Sequence, residues 1–216
     1  MSSWLLPIIC FVLAVLCLLC ALRLTGRLQW LLGWLRGMAA IACAGAAFGL
    51  GGVCFDLLNY RPVAAEPWVG NISFQQTAPQ RYEARLVDAD GKQTTYLLSG
   101  DQWQLDVRVF SWQLGEQAPA LYRFDRLSGR YLTLEQERGQ AKTSYAIAPS
   151  VLVDAWEAIK HFGLAVPLLK AGTRSISFLP MADGAVYSLS LGADGFLGQP
   201  LNQAASSAMA DWYSST

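Results

Sequence analysis

Nineteen consecutive residues, Trp4 to Leu22, carry no charge and consist largely of Leu, Ile, Val, Ala and Cys. At 1.5 Å per residue such a run is long enough to cross a hydrocarbon core of roughly 30 Å. It predicts a transmembrane helix over about residues 4–22. A cleaved signal peptide would call for a basic start, a shorter apolar stretch and a small-x-small cleavage site. Met1-Ser2-Ser3 has no basic side chain and the run ends in Ala21-Leu22-Arg23, so the uncleaved helix is the better reading. Leu18 and Leu19 stand before Cys20 where lipoprotein processing would need small residues.

A second charge-free run, Gly37 to Phe55, predicts another membrane helix over about residues 37–58. Its texture differs, with Gly45-Ala46-Ala47-Phe48-Gly49 forming a small-xxx-small pattern that lets helix backbones approach closely in lipid. Gly45 and Gly49 are therefore candidate helix-packing residues. Packing inside a two-helix hairpin is favoured over packing against a partner's helix. Residues 23–36 join the two spans as an interfacial loop or as the first turns of a long second helix. Trp30 and Trp34 suit the headgroup level, while Arg23, Arg27 and Arg36 hold a short loop on the cytoplasmic side. Both chain ends would then face the periplasm of a bacterial inner membrane.

Residues 1–60 hold all five cysteines but only three of the 16 basic and one of the 16 acidic residues. The cysteines read as small apolar side chains in the spans. Beyond them no cysteine remains for a disulfide framework or a thiolate metal site. Residues 61–69, with Pro62 and Pro67, read as an extended linker to an exported domain over 70–216. With 13 basic and 15 acidic residues scattered without blocks, residues 61–216 give no footprint for nucleic acid.

The exported domain is patterned mainly with period two. In Gln102-Trp103-Gln104-Leu105-Asp106-Val107-Arg108-Val109 the odd positions are apolar and the even ones polar, a strand with one buried and one wet face. Tyr82–Leu86, Leu121–Phe124, Tyr131–Leu134 and Val186–Leu189 read similarly. Turn signals punctuate them: Ala-Asp-Gly ending at Gly91, Gly184 and Gly195, and the pair Ser128-Gly129. The expected architecture is a membrane hairpin followed by a mainly antiparallel β domain, sandwich or barrel-like, with about ten strands and one or two short α-helices. The first helix lies over 150–162, with Ser150 as N-cap and Gly163 as stop, and closes one end or face of the sheet. The second runs from Asn202 to Tyr213. Ile-Ser-Phe at 72–74 and again at 176–178 hints weakly at a duplicated hairpin.

Groups for catalysis are sparse. His161 with Glu157 one helical turn earlier is an acid/base candidate, but an i, i+4 polar contact accounts for the pair as well, leaving an envelope hydrolase as a minor alternative. Nucleophile elbows, zinc-helix motifs, phosphate loops and dinucleotide fingerprints do not occur. Asp101, Asp106, Asp125, Glu135 and Glu137 are the candidate hard-cation carboxylates. Surface ion pairs explain them better, with Asp106 and Asp125 facing Arg108 or Arg123 across strands. Gly100-Asp101-Gln102-Trp103 reads as a turn followed by a core anchor. No cofactor or metal is expected.

Asn71-Ile72-Ser73-Phe74, Gly100-Asp101-Gln102-Trp103, Leu127-Ser128-Gly129-Arg130-Tyr131 and Pro180-Met181-Ala182-Asp183-Gly184-Ala185 together carry a resemblance. They are similar to a family of small proteobacterial inner-membrane proteins with two N-terminal helices and an exported domain, often labelled cation or multidrug efflux proteins. Two helices without buried charges or discontinuous segments lack the parts from which transporter sites are built. The resemblance thus implies an accessory role beside a larger complex.

The resulting expectation is a non-enzymatic accessory or assembly subunit of a larger inner-membrane complex, with the bilayer and either that complex or a homo-oligomer as partners. A ligand-binding or sensing domain on a membrane anchor, linked to efflux or envelope transport, is the alternative. About 18% of residues 61–216 are charged, below the roughly 25% of soluble proteins. Part of that domain's surface is therefore expected to be covered by headgroups or a partner.

Overall fold

The computed structural model describes residues 5–25, 30–63, 68–112, 119–148, 151–162 and 169–215. They form two compact units: residues 1–61 with 150–166, and residues 62–149 with 167–216.

The first unit contains α1 (Leu5–Thr25), α2 (Trp30–Leu57) and, from much later in the chain, α4 (Ala155–Phe162). Cys54 near the end of α2 donates its Sγ–H to the Pro7 carbonyl near the start of α1 at 3.2 Å, so the two helices form an antiparallel hairpin. Among the described residues, Leu32–Leu57 is the one helix long and apolar enough to cross a membrane, and the apolar part of α1, Pro7–Arg23, is shorter. Helix α2 begins at Trp30, so Trp30–Arg36 are its first turns instead of a loop. Arg27 lies outside the described residues.

The second unit is a mostly antiparallel β domain of two five-stranded sheets. One sheet has the order β10 (Gly195–Pro200), β9 (Val186–Gly192), β2 (Trp68–Ala78), β3 (Arg81–Asp88), β4 (Gln93–Ser99). The other runs β1 (Arg61–Pro62), β6 (Pro119–Arg130), β5 (Gln102–Trp112), β8 (Leu169–Pro180), with β7 (Ser144–Ala146) also on β6. Two short helices complete the unit, α3 (Leu134–Gly139) and α5 (Gln203–Ser215).

The inner faces of both sheets meet in one core, which makes the domain a sandwich. The alternation along β5 is realised as predicted: Trp103, Leu105, Val107 and Val109 are buried, while Gln104, Asp106 and Arg108 are less so. Trp103, wholly buried, sits with its ring centroid 5.6 Å from Phe74 and 5.5 Å from Tyr187, aromatic side chains of the opposite sheet. The buried Tyr187 hydroxyl donates to the Pro180 carbonyl at 2.8 Å.

The three Ala-Asp-Gly turns place Gly91, Gly184 and Gly195 at positive φ. Other signals resolve differently. Ser128-Gly129 is not a turn but lies within β6, where Gly129 is needed because a Cβ there would stand 2.3 Å from the Ser99 carbonyl oxygen. Tyr131–Leu134 is not a strand. Thr133 caps α3 by accepting the Gln136 N–H, and Leu132 and Leu134 are 56% and 64% exposed. The two Ile-Ser-Phe triplets have unlike roles, since Phe74 is core whereas Phe178 sits at φ 64° where the β5–β8 register slips. The segment around α4, expected to close an end or face of the sheet, is part of the helical unit instead, with Asp154 as its N-cap. Ser150 and Gly163 lie outside the described residues.

Two predictions follow from the sandwich. Gly100 has φ 130° and a Cβ there would meet the Arg130 carbonyl oxygen at 2.4 Å, whereas Gly91, at φ 77°, faces open space. Gly100→Ala should cost clearly more than about 1 kcal/mol, and Gly91→Ala about 1 kcal/mol, in urea denaturation of the full chain. Burial pushes the Tyr187 phenol from its ordinary 10.0 up to about 12. A raised folded-state value keeps its stabilising contribution intact below pH 10 and removes it as pH rises toward 12. Denaturation midpoints should therefore fall across that window, and less steeply in Tyr187→Phe.

Candidate functional site

Past the charge-free run Gly37–Phe55, helix α2 carries Asp56 in its last turn, where a lone carboxylate would ordinarily face solvent. Instead this carboxylate is wholly buried. Its Oδ2 accepts the backbone N–H of Ala155, the first residue of α4, at 2.9 Å across 99 positions of sequence. The next two amides of α4, Trp156 and Glu157, donate to Asp154 Oδ1 at 2.9 and 3.1 Å. Two carboxylates thus satisfy the N–H groups that open α4, at the end of a helix where negative charge is favoured. The expectation that the N-terminal helices lack a buried charge is corrected here.

One turn back along α2, Gly52 makes room for the same segment. A methyl group on Gly52 would lie 2.7 Å from Val153 Cγ2 and 2.9 Å from its Cβ, so any larger residue would push the segment away. Trp156 is buried, and the Lys160 ammonium lies 4.3 Å from its ring centroid. The site is therefore a docking latch built from Gly52 and Asp56 on α2 and from Val153, Asp154 and Ala155 beside α4. Its chemistry is backbone recognition.

Gly45 and Gly49 are not used inside the hairpin: a Cβ at either would meet nothing within 4 Å. The expectation of intramolecular packing through these glycines is thereby overturned. Trp34 is 70% exposed, whereas Arg36 is half-buried and Arg23 is exposed on the last turn of α1. Trp30 lies in α2, with its side chain outside the described residues, and the His161 side chain is outside them as well.

The carboxylates of the β domain hold the fold. Asp101 accepts Leu132 N–H at 3.0 Å and the Gln80 amide at 2.9 Å, and its backbone bonds to Arg130 and Met181. Asp125 pairs with Arg108 at 2.8 Å, the cross-strand partner proposed for it. Asp106 accepts from Gln104 and from the Ser175 hydroxyl. Burial alone would raise Glu137, but Lys142 at 2.7 Å, the Tyr131 N–H and Arg130 outweigh it and hold the carboxyl below its usual range. Glu135 is exposed on α3. Among the described residues no three His, Cys, Asp or Glu side chains gather as a metal site. A groove of about 430 Å³ runs along Ser111, Trp112, Lys170 and Thr173; Arg174 beside it already donates to the Gly192 and Ala193 carbonyls.

No protein family, curated protein or solved structure matches the chain.

The latch yields two outcomes. Asp56→Ala should speed hydrogen exchange at the Ala155 amide by about 10- to 100-fold, corresponding to about 1–3 kcal/mol, while Asp56→Asn, which keeps an acceptor oxygen, should change it less. A fragment beginning at Pro62, where the β unit starts, carries residues 150–166 without α2. It should self-associate in size-exclusion chromatography, and replacing 150–166 by a Gly/Ser connector should restore a monomer.

Proposed function

We propose that the chain is a non-enzymatic accessory or assembly subunit of a larger inner-membrane complex, anchored by α1 and α2 and presenting its β domain to the periplasm. The observation that carries this reading is the surface of α2. Trp34, Ile41, Phe48 and Phe55 are each about 67–74% exposed, and the Gly45/Gly49 face is open to close approach by another helix. Such a surface calls for cover by lipid or by a partner helix, and the open small-residue face suits the latter. The filled aromatic interior around Trp103 supports an interaction domain over a ligand-binding one, because binding sites of the usual kind are concave and partly empty. The resemblance to small inner-membrane proteins labelled as efflux components supports the same assignment.

Arg23 on the last turn of α1 and Arg36 in the first turns of α2 support a cytoplasmic loop and periplasmic termini. A reactive-cysteine or protease accessibility map of spheroplasts checks that orientation.

The assembly reading is tested on membranes solubilised in mild detergent at native expression levels. The chain should migrate in a particle well above its own 23.6 kDa. Gly45→Leu combined with Gly49→Leu should release it to a smaller species, with the proteolytic pattern of the β domain unchanged. A monodisperse, partner-free monomer of the native chain would overturn the assignment.

A further inference from the structure

Leu152 is 87% exposed, more than any other large apolar side chain among the described residues, although the segment that carries it is firmly docked. Its neighbour Val153 lies on Gly52, and Ala155 is held by Asp56. The docking of its neighbours holds this leucine outward, where it is available to an apolar medium. The position of the dock along α2 identifies that medium.

If Trp34 marks the headgroup level at one face, as exposed tryptophans on membrane helices do, a hydrocarbon core of about 30 Å ends 20 residues later, at about residue 54. Gly52 then lies about 3 Å inside the boundary and Asp56 about 3 Å outside it. The order of groups along the dock fits this. Val153, beside Gly52, is apolar; Asp154 and the opening amides of α4, beside Asp56, are polar and mutually hydrogen-bonded. The exposed Phe55 continues the apolar surface at the same level of α2. Lys160 is exposed, with its ammonium against the Trp156 ring, a pairing of cation and indole suited to the headgroup layer.

We propose that residues 151–162 form an interfacial segment that re-enters the outer face of the bilayer, with Leu152 inserted among the acyl chains and α4 lying at the headgroup level. The segment thereby binds lipid, in addition to the anchoring by the spans. This inference rests on the reading of α2 as a membrane helix, and the experiment separates the two.

Spin labels are placed singly at Leu152→Cys, at Phe48→Cys in mid-span, and at Asp194→Cys on the exposed β9–β10 turn, in a full chain whose native cysteines are replaced by alanine. The protein is reconstituted in bilayers of phosphatidylethanolamine and phosphatidylglycerol. Collision with a polar nickel chelate should be about tenfold lower at 152 than at 194, the depletion that an exclusion of about 1.4 kcal/mol produces, with collision with oxygen retained. Label 48 should behave in the same way. Nickel access at 152 with label 48 protected overturns the interfacial segment and leaves the membrane helix standing. Nickel access at both removes both readings. Protection of 152 from nickel and oxygen alike means that protein covers it, which also overturns the proposal. Should the cysteine-free chain fail to fold, a photoreactive benzoylphenylalanine at position 152 of the native chain replaces it. Adducts with phospholipid are expected, and adducts with protein alone overturn the proposal.

Discussion

The β domain depends on the way its main chain is tied at Gly100-Asp101. Within two residues the Gly100 N–H reaches Gln80, the Asp101 N–H reaches Arg130, and the Asp101 carbonyl receives the Met181 N–H, all at 2.8–2.9 Å. The Asp101 carboxylate adds Leu132 and Gln80. One corner therefore joins the β2–β3 turn, the end of β6 and the end of β8. It works because glycine tolerates φ 130° with the Arg130 carbonyl so close behind it. Trp103 follows two residues later, so the tie also places the largest core side chain against Phe74 and Tyr187. The ion pairs Arg108–Asp125 and Glu137–Lys142 serve the same end.

Much of this was legible in sequence because it rests on local rules. The alternation along 102–109 and the Ala-Asp-Gly turns each depend on neighbouring residues, and both were realised. The failures occurred where a distant part of the chain decided the outcome. Gly129 resembles a turn residue until the Ser99 carbonyl is known to press on it. Tyr131–Leu134 alternates like a strand, yet Thr133 starts a helix and the leucines stay outside. Asp56 was visible only as the residue that ended an apolar run. Nothing near it in sequence announces the Ala155 amide.

The helical unit follows a different logic. Its helices α1 and α2 expose large apolar side chains along most of their length, so burial inside the unit contributes little to holding it together. Its internal specificity comes from a few small or polar residues: Gly52, Asp56 and the cap at Asp154. Gly45 and Gly49 have the same chemistry as Gly52 but no neighbour, so identical residues on one helix divide into an occupied and an open site. The amide-to-carboxylate contact distinguishes the occupied one.

That contact joins residues 56 and 155, and the chain passes between the two units three times, near 61, 149 and 166. During synthesis α2 emerges long before its partner segment exists. At about 5–20 residues per second the 99 intervening positions take on the order of 5–20 s. Throughout that interval Asp56 lacks the Ala155 amide and Gly52 lacks its cover. The helical unit is therefore completed late, after seven strands of the β domain have left the ribosome, and an early-made helix pair must wait in an unfinished state for its final piece.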